Sequence, residues 1–457
     1  MALKTALTLV VLDRYGWHRD TLYYAVAGQH LQGGYVEFPP VTALFSALAH
    51  ALFGWALAGF RIWPVLAGAC TVFVAALVAR DLGANRRAQT FAAIGVAFAP
   101  GILATNQLFQ PVAFDQLTTM IVLWLALRLA QGRGSWPLLG VAAGVGLETK
   151  YSIAVVLVLL IATFAVWRRD VLRTWGFPVA IGIAVLLLVP NLIWEAGHDW
   201  ISVHWFLHPP PSGSDETRPQ FLGNTVLLLA VALPVAVAGV VSLVRNPVVR
   251  PLGWTVVGTV GAYFVLGGKS YYGLPVLAFA LAAGAIPFER WATRRRLWIV
   301  AIPYVAVELY ALPIVLPVLP LHTAEQWSVM DARGDYGDEI GWPGFVRTVE
   351  RHAAGTDVVI ASNYGEAGAL KLFGHGLPPV ASGHVTFRYW RPDVTGREAL
   401  LVGYDRASAS AFCDGYRVVA RISMPVDNDE RNQPVARCTL HGSLADVWPT
   451  IVGQFET

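Results

Sequence analysis

The sequence predicts an α-helical polytopic membrane protein that carries a small α/β domain at its C-terminal end. Three observations predict it. Of 457 residues, 55% are hydrophobic and 14% are charged, against about 25% charged in a soluble globular protein. Long apolar runs fill the chain before Pro320, and a membrane-crossing helix needs about 20 such residues. From Pro320 onward charged residues, Gly and Asp rise and the long apolar runs stop. The expected division is a membrane domain over 1–319 and an α/β domain over 320–457.

Apolar runs place membrane helices at Leu57–Ala79, Ala88–Thr105, Ala113–Leu129, Trp136–Leu147, Ser152–Val166, Gly176–Trp194, Thr225–Val244, Leu252–Leu266, Leu274–Ile286 and Leu297–Val318. With a first segment at Ala2–Leu12 they number about eleven. That first segment lacks a small-residue cleavage site, so it does not read as a cleavable signal peptide. It is short for a span, which predicts a truncated first helix or one that enters at an angle. Val41–Phe53, which follows Pro39 and Pro40, reads as a helix at the membrane surface. Gly140–Gly146, GVAAGVG, is a helix-packing pattern.

Lys and Arg in alternate loops set the orientation. One set of loops holds fourteen arginines, among them Arg86, Arg87, Arg168 and Arg294–Arg296. The other holds six cations: Arg14, Arg19, Arg61, Lys150, Arg218 and Lys269. The richer set is expected in the cytoplasm. The loops of Asp20, Asn106–Val112, Glu195–Gly223 and Lys269, together with the C-terminal domain, then face outward from the inner (plasma) membrane.

Strand-like runs at Asp357–Ser362, Ala399–Tyr404, Tyr416–Ser423 and Val435–Leu440, after a helical stretch at Gly344–Ala353, predict the α/β domain. His208–Gly213, HPPPSG, reads as a stiff loop turn. Cys70 lies in an apolar run and reads as an inert core thiol. Cys413 and Cys438 either pair in an oxidising compartment or stay free. The net charge of +3 is spread through short loops and gives no reason to expect nucleic acid. With no Walker loop and no dinucleotide fingerprint, no nucleotide is expected either.

The polar residues capable of chemistry cluster on the expected outer face. Tyr15–Pro40, YGWHRDTLYYAVAGQHLQGGYVEFPP, places Asp20 beside His18, Arg19, Tyr23 and Tyr24, with Glu37 as a second acid. A carboxylate shielded by aromatics at the bilayer edge can take a proton from a hydroxyl; the alternative is an ordinary interfacial loop with an aromatic belt. Asp115 opens an inward helix, where it is either functional or a partner of the positive helix end. Lys150 in GLETKYS needs an anion, either Glu148 or a ligand phosphate. Lys269 in GGKSYYGLP and Arg61 add cations on the same side, and as a group they suit a phosphate-bearing lipid. His204 and His208 share a helical spacing, so they could hold a divalent metal with Glu37 or stack among Trp194, Trp200 and Trp205.

These segments together resemble a known family. Tyr15–Leu31, the GYVEFPPVTAL run, LFQPVAFDQL, GLETKYS, GGKSYYGLP, NYGEAGALKLFG and LPPVASGH follow in the order seen in bacterial family 39 glycosyltransferases. These are of the GT-C type and are similar to protein O-mannosyltransferases and the lipid A aminoarabinose transferase. The resemblance implies an inverting transferase that moves a sugar from a polyprenyl-phosphate donor to a glycan, lipid or protein hydroxyl. Asp20 then takes the place of the family base and Asp115 that of its second important acid. Thr21 stands where many members carry another acid. Glu37 matches the acid that helps hold a metal together with a later histidine, here His204, and Phe38 replaces the lysine expected beside it. Lys269 and Tyr271 match the lysine and aromatic of a KxYY-like segment. Arg61, Lys150 and Lys269 would meet the departing phosphate, while Tyr23, Tyr24 and His18 would face acceptor or sugar. A transporter or flippase of lipid-linked sugars, or a non-catalytic binder, is the alternative reading.

Overall fold

The computed structural model describes residues 2–207 and 216–455; the expected turn at His208–Gly213 lies outside them. The chain is a membrane protein of mostly helical structure up to Val315, followed by a mixed region built around one sheet. Among the described residues six helices are long and apolar enough to cross a membrane: Leu57–Asp81, Pro111–Ala130, Gly176–Ala196, Arg218–Arg245, Ser270–Trp291 and Arg294–Val315. Trp136–Leu147 and Ile153–Trp167 are shorter apolar helices, and Arg250–Leu266 spans 17 residues. The run expected as one helix at Ala88–Thr105 is two, Arg86–Phe98 and Pro100–Thr105. Pro100 lacks an N–H and begins a new helix after an extended Ala99.

Burial separates the central helices from the peripheral ones. Leu274–Ala285 is a continuous run of buried residues in the middle of the bundle. By contrast, only 6% of the most apolar window of Arg294–Val315 is buried, so this helix presents its apolar surface to lipid. Cys70 is exposed on the helix Leu57–Asp81, which corrects the expectation of a core thiol. Close packing uses small residues, as expected where lipid is the solvent. A Cβ on Gly140 would lie 2.5 Å from the Ala180 carbonyl oxygen, and one on Gly239 only 1.8 Å from that of Ala280.

The C-terminal sheet has the order β2-β1-β3-β5-β4. Its strands are β1 Val358–Ala361, β2 Val380–Ala381, β3 Glu398–Val402, β4 Cys413–Arg421 and β5 Pro434–Leu440. β1 runs parallel to β2 and β3, whereas β5 is antiparallel to both β3 and β4. Period-two alternation sends Val358 and Ile360 to one face, against Leu444, Val447 and Ile451. Val359 and Ala361 go to the other face, against Trp342, Phe345 and Leu370. That second face also takes Leu22, Tyr23 and Val26 from the helix Arg19–Gln29. The helix bearing Asp20 is therefore packed into the core of the C-terminal domain, although the chain joins it to the bundle. Cys413 and Cys438 are joined as a disulfide between β4 and β5.

Candidate functional site

Asp20 lies in the first turn of the helix Arg19–Gln29, where the positive helix end favours a carboxylate. His18 caps that helix: its Nδ1 accepts the backbone N–H of Asp20 at 3.1 Å. Its Nε2 lies 3.8 Å from Asp338 Oδ2. The Asp20 side chain remains 29% exposed, and the hydroxyl of Tyr364 donates to its Oδ1 at 2.7 Å. Thr21 is fully buried and donates to the Phe109 carbonyl.

A polar track leads from Asp20 into the bundle. Tyr24, Glu37 and Tyr271 all lie within electrostatic reach of Asp20. Tyr271 and Tyr272 meet edge to face at 4.8 Å. The Lys150 ammonium sits 4.2 Å from the centroid of the Tyr272 ring and 5.2 Å from that of Tyr271, a cation–π arrangement. Lys150 in turn acts on Asp115. Asp115 is buried, and its two oxygens accept from Thr119 Oγ1 at 3.3 Å and Ser152 Oγ at 3.4 Å. Tyr263 closes the inner wall, donating to the Ser152 carbonyl at 2.8 Å. Lys269 begins the short turn Ser270–Gly273, whose first N–H is taken by Glu216.

Glu37 approaches from the loop after the Asp20 helix. Burial, first of all, pushes its carboxyl up to about 8. One of its oxygens is buried without a hydrogen-bond partner among the described residues. Burial and then the Asp20 and Glu37 charges hold the Tyr24 phenol well above its ordinary value.

Several expected site residues have other roles. Arg61 is the clearest correction: its guanidinium is buried, pairs with Glu339 at 2.8 Å, and donates to the carbonyls of Leu12, Arg14 and Gly16. Those partners use the groups a phosphate would need. Tyr23 and His18 are also buried, Tyr23 among Tyr364, Phe387 and Phe38, so neither faces an acceptor. Tyr24 keeps its place beside Asp20. Glu148 is not the partner of Lys150, since both of its oxygens are buried without a hydrogen bond. His198 stacks on Trp194 at 4.1 Å, while His204 is exposed on the short helix Ile201–Leu207. Among the described residues no group of three His, Cys, Asp or Glu could hold a metal. Glu37 and His204 are therefore not part of such a group there, and His208, the third residue of the expected metal set, lies outside the described residues.

Sequence reasoning missed Tyr364, Tyr263, Tyr272 and Ser152. The first lies in NYGEAGALKLFG and the third beside Tyr271, so both were within recognised segments; hydroxyl roles leave no signal in spacing.

Comparison with known proteins agrees with this architecture. Residues 37–194 match the family model described as dolichyl-phosphate-mannose-protein mannosyltransferase. An undecaprenyl phosphate-alpha-4-amino-4-deoxy-L-arabinose arabinosyl transferase of Pseudomonas paraeruginosa is 32% identical over 205 residues, covering 40% of this chain and 37% of that protein. A second such transferase, from Pseudomonas fluorescens, is 27% identical over 55% of this chain and 47% of its own. The matches thus span less than half the length of these relatives. The crystal structure of ArnT from Cupriavidus metallidurans in the apo state superimposes with a TM-score of 0.67 at 14% identity, over 95% of this chain and 96% of that one. The same protein bound to undecaprenyl phosphate gives 0.62 at 14% identity, over 95% and 96% of the two chains.

Proposed function

We propose that this chain, a relative of the protein mannosyltransferases and aminoarabinose transferases with the GT-C fold they share, transfers a sugar from a polyprenyl-phosphate donor to an acceptor hydroxyl. The observation that carries the reading is the track of polar groups from Asp20 through Tyr271 and Lys150 to Asp115, each within electrostatic reach of the next. Such a track supplies a base at one end and a cation some way within, which is what inverting displacement from a phosphate requires.

In this mechanism the acceptor oxygen attacks the anomeric carbon while the bond to the lipid phosphate breaks. The acceptor proton goes to Asp20, and the bonding electrons leave with the phosphate. Lys150 and Lys269 stabilise the charge on that phosphate, Tyr271 walls the site between base and cation, and Asp115 fixes Lys150. Because the phosphoester is already activated, no nucleotide is consumed.

The lipid tail has a place to lie. An apolar cavity of 220 Å³ separates Pro111–Ala130, Trp136–Leu147, Ile153–Trp167 and Gly176–Ala196, and Leu147 in its lining stands three residues before Lys150. A phosphate at Lys150 would direct an isoprenoid chain toward this space. The arginine asymmetry between loops and the disulfide support a site and a C-terminal domain on the outer face of the plasma membrane.

Mass analysis of lipid that copurifies with the chain tests the donor. A polyprenyl phosphate or its sugar adduct is expected; enrichment of bulk phospholipid alone contradicts the reading.

A further inference from the structure

We propose that Tyr364, contributed by the C-terminal domain, is a positioning residue for the Asp20 carboxylate, which makes the outer domain a working part of the active site. The inference rests on the sugar-transfer reading above, and adds a residue and a role for the domain that the reading does not require.

Tyr364 opens the helix Tyr364–Phe373, capped by Asn363, whose side chain accepts from Glu366 N at 2.9 Å. This helix lies directly on the Asp20 helix, and two glycines permit the approach. A Cβ on Gly365 would sit 3.0 Å from Arg19 Cβ, and one on Gly368 3.0 Å from Leu22 Cβ and 3.1 Å from its carbonyl carbon. The Tyr364 ring is fixed on its flanks by Tyr23 at 5.2 Å and His384 at 5.2 Å, and the Arg19 guanidinium lies over it at 5.5 Å. Arg19 is itself anchored to the outer domain through Asp429 at 2.7 Å and Asp338 at 3.8 Å. The ring is therefore held rigidly, and its hydroxyl meets Oδ1 of Asp20 at 2.7 Å.

A core tyrosine normally gives its hydroxyl to a backbone carbonyl or to water. Here it donates to the one carboxylate placed to act as a base, an ionic hydrogen bond of the strong class. Burial and the Asp20 charge hold the Tyr364 proton on, so the phenol stays a donor at any working pH. With Oδ1 held, the proton of the acceptor goes to Oδ2. The other ionisable groups that face Asp20 are His18 and Tyr24 on its own helix, Glu37 from the following loop, Tyr271 from the bundle and Asp338 from the outer domain.

The test uses the full chain in nanodiscs, with undecaprenyl-phosphate mannose and undecaprenyl-phosphate aminoarabinose as donors and a membrane extract as acceptor. Tyr364→Phe should lower kcat roughly 10- to 100-fold while KM for the donor changes less than about 2-fold. The acidic limb of kcat against pH should move to higher pH, since the carboxylate loses a donor that favours its charged form. Incorporation of 3,5-difluorotyrosine at 364, a stronger donor of nearly the same shape, should move that limb the other way, which settles the matter even where the Phe variant folds poorly. An unmoved limb in both variants, or a loss confined to KM and thermal stability, overturns the proposal. Asp20→Asn separates the two claims: a fully active Asn variant removes the sugar-transfer mechanism itself, whereas an inactive one with unmoved Tyr364 variants removes only the positioning role.

Discussion

Arg61 and Glu339 form a fully buried ion pair at 2.8 Å that ties the first long helix of the bundle to the segment leading into the C-terminal domain. The same guanidinium gathers the carbonyls of Leu12, Arg14 and Gly16, so the strand of chain entering the Asp20 helix is pinned at this point. Gly16 is required there: with φ +146° its Cβ position would lie 2.4 Å from the Glu339 carbonyl oxygen.

Removing one partner leaves an uncompensated buried charge, which costs about 3–5 kcal/mol. Arg61→Met should therefore lower the unfolding midpoint in detergent by several degrees and expose the region around Gly16 to protease. The double variant Arg61→Met with Glu339→Gln should recover much of that loss. A single variant as stable as the wild type contradicts the pinning role.

Glu366 supplies a pH signature for the C-terminal domain. Its carboxyl is fully buried and accepts from Ser362 N and Oγ at 3.0 Å each, while burial, first, and then Glu430 push it up to about 7 from an ordinary 4.5. Between those two pH values the folded chain binds a proton that the unfolded chain has lost, so this group's contribution falls as pH rises from 4.5 to 7. Glu366→Gln keeps the acceptor and cannot ionise. Its stability relative to wild type should rise across that window and level off above it, read as thermal midpoints at pH 5, 6, 7 and 8. A flat difference contradicts this.

The disulfide closes a loop of 25 residues between β4 and β5. The chain-entropy account gives it about 3–4 kcal/mol. Cys413→Ser should lower the midpoint of the C-terminal domain, and reductant should have no further effect on that variant. Mass mapping without reductant should find Cys413 joined to Cys438. A tag at the C-terminus of intact spheroplasts should be reached by an impermeant probe; protection of the tag contradicts the outward orientation.

Much of the membrane architecture was legible because apolar runs report spans directly: Val41–Phe53 and Trp136–Leu147 have the bounds expected from sequence. The break at Pro100 was also legible in principle, since proline starts helices better than it continues them. Strand-like runs at β1, β3, β4 and β5 stood out, whereas β2, with two residues, is too short to leave a period. The site was less legible. A lone Arg near a membrane interface has the same signature whether it meets a phosphate or a protein acid, and the acid that claims Arg61 is 278 residues away. Tyr364 is 344 residues from Asp20, a pairing that no local pattern encodes. The apolar face of the Asp20 helix likewise makes sense only once the sheet it covers is known.

The central claim is that Asp20 removes the acceptor proton during transfer from a lipid phosphate. It is tested most directly by the rate at which the Asp20→Asn chain releases undecaprenyl phosphate from the two sugar donors, compared with wild type at equal donor occupancy. The rate should fall by about 100-fold or more with donor binding retained. Asn at position 20 with an undiminished rate would contradict the account.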